Sequence, residues 1–476
     1  MATLHGRIID ATSDAPVAAK VHILDSTGHF RSPQNHVLKV GPGRPFFYCE
    51  HHFEVNLPRG SADILVERGT EYEPLLKTVY IPSNGHLDLE LPLKRWADLP
   101  SLNWYPGNTH IHYDEKEHHA HERIRLEPHV HDFNVTVVSL LQRRDLPYAS
   151  NRFPLGIMTD VSTAHHVVDI GEENRHNDQP WHMGYGHVMF LRIKNVVEPV
   201  SRGSLVSEFD PDYPPLCFAC DDTREQGGIV LWCHNGRGME APVAAALGKL
   251  DGFNLFDPFW TDLEYDIWYK LLNCGLFLPA STGSDWFVCS NNRVYVQTQG
   301  DFSYDGWIEG LQQGQTFITN GPALFLDVDG QLPGSRLTGA GQRTAHISWQ
   351  SHYPLNVVEL IMNGDIIHQW NYPDGTHTGE IRYDMLPETD GWVAIRCNGV
   401  ARDSFDHAVY AHTSPVWFDM GRPPEQRQGD AQFFIDSIDN ALDWVDRKGR
   451  YANNEQREAV TELFRRGQKV YEGFVK

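Results

Sequence analysis

Asn103-Trp104-Tyr105-Pro106-Gly107-Asn108-Thr109-His110-Ile111-His112 is the stretch on which the reading of this chain turns. Tyr105-Pro106-Gly107-Asn108 reads as a tight turn that delivers the chain into a short strand, Thr109–His112. Residues i and i+2 of a strand face the same side, so the imidazoles of His110 and His112 converge. Two convergent neutral imidazoles make half of a zinc-like site. Two surface histidines on a strand give the same string, so the weight rests on the ligand-type residues further along the chain.

Outward from that stretch, Leu102 to about Pro322 reads as short apolar strands alternating with helices. Strands are expected at Thr109–His112, Asn134–Leu141, His166–Ile170, Val188–Ile193, Ile229–Trp232, Gly252–Phe256, Phe277–Ala280 and Val294–Val296. One helix pattern places Leu263, Ile267 and Leu271 on a face and stops at Gly275; a second uses Trp307, Ile308 and Leu311. Such alternation predicts an α/β barrel or a doubly wound sheet, with the chemistry at the carboxyl ends of the strands.

The flanks read as β-structure. Residues 1–98 show period-two alternation at Ala19, Val21 and Ile23, in DILVERG and in LDLELPLK, and resemble the transthyretin-like regulatory domains found beside carboxypeptidases. No cluster of ligand-type residues lies there, and a packing or oligomerisation module is the expectation. Residues 326–420 read as a second β-sandwich, with a hairpin turn at Asn363-Gly364. In residues 421–476, GRPPEQRQG reads as a linker, followed by two amphipathic helices with Phe434, Ile438, Ala441 and Val445, then Val460, Leu463 and Tyr471, on their apolar faces.

Composition narrows the function classes. The 476 residues are 41% hydrophobic and 22% charged, ordinary for a globular protein, and 63 acidic against 40 basic residues give a net charge of -23. Such a surface disfavours nucleic acid and anionic membranes, which leaves a small molecule as the expected partner, with self-association through the β-domains or the C-terminal helices as the other contact to expect. No apolar run reaches membrane-spanning length, and the first residues lack the basic and apolar regions of a signal peptide, so a cytoplasmic location is expected. Seven cysteines show no framework spacing; Cys217 and Cys220 form a lone C-x-x-C and read as small buried residues. The 26 histidines are what stand out, and their placement matters more than their number.

Four more ligand-type residues sit at the expected strand ends. Glu173 lies in GEENR, His187 opens GHVMFL, His234 ends WCHNG, and Asp285 closes TGSD. Any one of them is a common polar residue at a loop start; the set after an H-x-H fits one shared site at a barrel mouth. These motifs, with GNTHIH, WYKLLNCG, NRVYV and QTFITNGPAL, resemble the polymerase-and-histidinol-phosphatase (PHP) metallohydrolases, amidohydrolase-like proteins, and within them the CehA/McbA branch named for carbaryl hydrolases. The similarity is dense from about Asn103 to Gly334 and does not cover the two C-terminal helices.

That resemblance implies a PHP-like distorted (β/α)7 barrel over residues 99–325. It implies one metal held by His110, His112, Glu173 and Asp285, and a second held by Glu173 as bridge with His187 and His234. Glu173 is preferred over Glu172 because the family motif reads Gly-x-Glu. Members with three metals use further histidines; His118 matches one, but Leu140-Leu141-Gln142-Arg143 and Asp285-Trp286-Phe287 lack the other two. Two divalent ions (Zn, Mn, Fe or Co) are therefore expected, with His118 left as a supporting residue or proton carrier and Arg175 to neutralise substrate charge. The implied activity is hydrolysis by a metal-activated water. Loss of the third metal favours an acyl bond (ester, carbamate, thioester or amide), with a phosphoesterase and an inactive metal-bearing binding protein as alternatives. Trp104, Tyr105, Trp181, Tyr185, Phe259, Trp260, Trp286 and Phe287 are expected to crowd the mouth and to suit an apolar or aromatic substrate.

Overall fold

The computed structural model describes residues 1–39, 43–143, 148–179, 182–256 and 264–475, a mixed α/β, strand-rich chain. The N-terminal residues form two sheets. One joins His52–Leu57, Ala2–Asp10 and His86–Leu93; the other runs through Phe46–Cys49, Ala19–Leu24, Gly60–Glu67 and Leu75–Ile81. His52–Leu57 alternates exposed and buried residues along its length, as a strand with one wet face must. Leu4, Ile8, Val55, Leu57, Ile64 and Val66 meet in one apolar cluster between the sheets.

The central sheet curls into a half-barrel. Trp104–Ile111 pairs in parallel with Val135–Leu140, which pairs in parallel with Val167–Asn177. Val167–Asn177 then turns back on Gly186–Leu191 as an antiparallel hairpin, and Gly186–Leu191 pairs antiparallel with Ile229–Trp232. Gly252–Asn254 and Ala280–Ser281 continue the sheet in parallel. The strict strand–helix alternation expected is thus interrupted where Val167–Asn177 meets its partner. Across the curl, the single Thr109 Oγ1 proton is shared between Asn254 Oδ1 at 3.1 Å and the Thr282 carbonyl at 3.0 Å, so the strand Trp104–Ile111 is tied to the far end of the curl.

Tyr105–Asn108 is not a turn. It lies inside the strand Trp104–Ile111, antiparallel to Arg293–Gln297. Pro106 has no N–H to offer, but the parallel ladder begins only at Gly107, and the Pro106 carbonyl accepts from Asn134 N–H at 2.8 Å. Gly107 serves close packing: a Cβ there would sit 2.5 Å from the Trp307 ring.

Helices α1 (Ala120–Val130), α2 (Leu216–Glu225), α3 (Ala241–Ala246), α4 (Asp266–Asn273) and α5 (Tyr304–Gln312) pack around this sheet. In the helix carrying Ile267 and Leu271, Leu271 is buried and Ile267 packs at the edge of the core; Leu263 lies outside the described residues. Ser303 caps α5, its Oγ accepting from Gly306 N–H at 3.1 Å. Beyond Pro322, long antiparallel strands extend the sheet, with Arg343–Met362 and Asp365–Met385 joined at Asn363-Gly364 as expected. Both turn residues are left-handed, at φ 52° and 90°.

Helices α6 (Gln426–Arg447) and α7 (Asn454–Val475) complete the chain; α6 begins inside the segment expected to be a linker. Phe434, Ile438, Ala441, Val445, Val460, Leu463 and Tyr471 are buried in the same cluster as the half-barrel strands, so their apolar faces are used within the chain. Among the described residues, no helix is long and apolar enough to cross a membrane.

Candidate metal centre

The strand Val167–Asn177 sorts its side chains by parity. Glu172 turns one way, accepting from Asn174 Nδ2 at 2.7 Å and Val197 N–H at 2.9 Å. Burial pushes the Glu172 carboxyl up to about 7. Glu173, Arg175 and Asn177 turn the other way, into the half-barrel. The Glu172–Glu173 choice is therefore decided by which face meets the histidines.

His110 is the penultimate residue of the strand Trp104–Ile111 and His112 lies just beyond its end, and their Nε2 atoms stand 3.1 Å apart. Asp285 Oδ1 lies 3.3 Å from His110 Nε2 and 3.5 Å from His112 Nε2. On the other side, His187 Nδ1 lies 2.8 Å from His234 Nε2. Glu173 joins the two groups: Oε2 is 3.0 Å from His112 Nε2, and Oε1 is 3.0 Å from His187 Nδ1 and 3.4 Å from His234 Nε2. The donor atoms form two triads, His110, His112 and Asp285, and Glu173, His187 and His234.

The donor chemistry fits divalent cations. Metal–ligand bonds of about 2.1 Å at tetrahedral angles place neighbouring donors roughly 3.4 Å apart, the spacing found between the triad atoms. The outward ring nitrogens are also committed. His112 Nδ1 donates to the Ser139 carbonyl at 3.1 Å, and His187 Nε2 donates to Asn177 Oδ1 at 2.7 Å. Each bond leaves a bare lone pair on the inward nitrogen, as a metal ligand requires. Apart from Asp285, which is partly exposed, the donors are at most 4% exposed.

Charge within the site is arranged to match. Burial pushes the Glu173 carboxyl up, but the Arg175 guanidinium beside it outweighs burial and leads in holding it well below the usual carboxylate range. Burial, with Arg175 adding to it, lowers His187 to about 3, so the imidazole is neutral and able to ligate. Arg175 Nη1 donates to Glu173 Oε2 at 3.2 Å, while its Nε is buried without a hydrogen-bond partner. Backbone strain marks both loop ligands: His234 and Asn235 are left-handed at φ 56° and 57°, Asp285 and Trp286 at 46° and 43°. Non-glycine residues in this region cost about 1–3 kcal/mol each, and here they fall in pairs at two of the six donor residues.

His118 stands apart from the triads, exposed in a cleft that also borders Trp286 and Phe287. Of the aromatic residues expected at the mouth, Phe287 packs edge-on to His112 at 6.4 Å and Trp286 is 38% exposed, so these two border it. Trp104, Tyr105 and Tyr185 are core residues, since their rings pack on Phe317, Phe302 and Phe464. Trp181, Phe259 and Trp260 lie outside the described residues. Cys217 and Cys220 are buried on α2, away from the six donors, with burial holding both thiols well above their ordinary range. Asn177 and the Ser139 carbonyl are the functional groups that sequence reasoning missed; the parity of Glu173, Arg175 and Asn177 was the available signal for the first. No protein-family model, no curated protein and no solved structure matches the chain.

Proposed function

We propose that the chain is a dinuclear, divalent-metal-dependent hydrolase acting on an acyl-type bond of a small apolar or aromatic substrate. In this reading its central part is a PHP-like distorted (β/α)7 barrel flanked by two β-sandwich domains. The observation that carries it is Glu173, which turns one carboxylate oxygen to each of two donor triads. His110, His112 and Asp285 with Glu173 would hold one ion, and His187 and His234 with Glu173 the other; mixed imidazole and carboxylate donors suit Zn, Mn, Fe or Co. Ions held there supply Lewis acidity and lower the pKa of water towards ~7.

The chain's own groups do the rest. Ser139 and Asn177 hold two imidazoles in the ligating tautomer. Arg175 keeps Glu173 ionised and has a buried Nε free to donate to a substrate oxygen that gains negative charge. His118 lies in the exposed cleft beside Trp286 and Phe287, apart from the six donors. The same unpartnered Arg175 Nε favours a second reading, a phosphoesterase, because a guanidinium pairs well with phosphoryl oxygens.

Elemental analysis of wild type, His110→Ala and Asp285→Ala, with the same samples assayed on a carboxyl ester and a phosphate ester, tests both. Close to two metals per chain, falling in the variants together with ester turnover, is the expected result. Turnover of the phosphate ester alone moves the assignment to the second reading. Wild-type protein that takes up no metal on reconstitution overturns both.

A further inference from the structure

A cavity of about 880 Å3 lies where α6 passes the loop after His234. Asn235 and Gly236 in its lining directly succeed that histidine in the chain, and Phe433, Phe434 and Ser437 come from α6. Its volume is that of a small-molecule site. Met183, Met239 and Ile267 extend the apolar wall begun by the two phenylalanines.

The charged groups of the described lining are already paired. Arg237 Nη2 donates to both oxygens of Glu264 at 2.8 and 3.0 Å, Asp266 accepts from Lys270 at 2.5 Å, and His182 bonds Asp178 at 2.5 Å. An ionic ligand would find no uncompensated partner among them. Among the neutral donors of the described lining, the Asn235 amide lacks a partner. Asn235 is 3% exposed, its Oδ1 accepts from Phe256 N–H at 2.7 Å, and its Nδ2 is buried with no hydrogen-bond partner. A buried donor left unmade costs stability, and a ligand oxygen would satisfy it. In the left-handed turn His234-Asn235-Gly236, at φ 56°, 57° and 81°, the residue carrying this amide directly follows the histidine of the donor triad.

We propose that this cavity binds the apolar arm of an uncharged substrate, with Asn235 Nδ2 donating to an acceptor oxygen near the metal centre, and that α6 is therefore a specificity-determining element. The assignment of the bound arm to a substrate rests on the hydrolase reading; the cavity itself does not. The substrate class is a neutral ester, amide or carbamate with an extended aliphatic or aryl group, not a free carboxylate.

Alkan-2-ones carry the same neutral oxygen and apolar tail and cannot be hydrolysed. Calorimetric titration of the full-length protein with hexan-2-one, octan-2-one and decan-2-one, and with octanoate as the charged comparison, tests the site. Affinity should rise about four-fold per methylene, as burial of each CH2 requires, and octanoate should bind more weakly than octan-2-one. Ser437→Trp, which fills the cavity from α6, should weaken decan-2-one binding at least ten-fold. Phe433→Ala, at a side chain 44% exposed, should weaken it several-fold without disturbing the fold. Asn235→Asp keeps the acceptor for Phe256 N–H and removes the donor, and should weaken all three ketones alike. Ketone binding in a protein that turns over no ester supports the cavity and rejects the hydrolase reading. Absence of ketone binding, equal binding in wild type and Ser437→Trp, or preference for octanoate overturns the cavity, even where ester turnover is present.

Discussion

Replacing Asn177 by alanine tests the centre through a residue that is not a ligand. Asn177 Oδ1 accepts from His187 Nε2 at 2.7 Å, which fixes the proton there and leaves Nδ1 bare, 3.0 Å from Glu173 Oε1. Without that acceptor the imidazole is free to rotate and to exchange tautomers, and its basicity falls. Removing the outer partner of a metal-bound histidine weakens metal binding by roughly 10–100-fold, or about 1.4–2.7 kcal/mol. The dissociation constant for Zn, from competition against a chelator of known affinity, should shift by that amount in Asn177→Ala, with unfolding temperatures measured alongside. Asn177→Asp keeps the acceptor and should retain affinity. A change under about three-fold in Asn177→Ala, or an equal loss in Asn177→Asp, would refute the reasoning that His187 ligates through Nδ1.

Neighbouring contacts carry further consequences. Glu173→Gln should abolish binding of the second metal equivalent, whereas Glu172→Gln, one residue away on the opposite face, should keep metal content and lose about 1–3 kcal/mol of stability; equal metal loss in both would remove the parity argument. Gly107→Ala puts a Cβ 2.5 Å from Trp307 and should cost about 1–3 kcal/mol by thermal denaturation; an unchanged melting temperature would show that the ring can move aside. Burial lowers His412 from 6.5 to about 3, so the unfolded chain takes up this proton first as the pH falls. The stability present above pH 6.5 is therefore lost as pH drops through that window towards 3, by up to ~1.4 kcal/mol per unit. Urea midpoints compared at about pH 7 and about pH 5 should fall less in His412→Gln than in wild type; equal falls would contradict the assignment. Arg450→Ala leaves Asp212, 1% exposed, with His176 as its remaining side-chain partner and should cost about 2–3 kcal/mol, read by denaturant unfolding.

Much of this protein is legible in local pattern, because local pattern is set by short-range geometry. The two-residue period of a strand brings His110 and His112 together wherever the strand lies, and helical spacing shows which faces of α4 to α7 are apolar. Asn363-Gly364 turns the hairpin because both positions need positive φ. The same local reading mistook Tyr105–Asn108 for a turn, since Pro-Gly usually makes one; here the strand is imposed by neighbours on both sides and by the space Trp307 takes.

What the sequence showed by itself is the helices, most of the strands and the ligand-type residues; it ended the strand at Ile170, and only the structure carries that strand on to Asn177 and so groups Glu173 with Arg175 and Asn177 by parity. The sequence did not determine which of the two parity faces looks inward, because that depends on where His187, His234 and Asp285 arrive from strands and loops up to 175 residues away, as for His110 and Asp285. Nor did it determine that α6, readable as an amphipathic helix, would wall a cavity beside His234. Both are long-range contacts, set by how the sheet curls and how the last helices seal its core, and only the tertiary structure decides them.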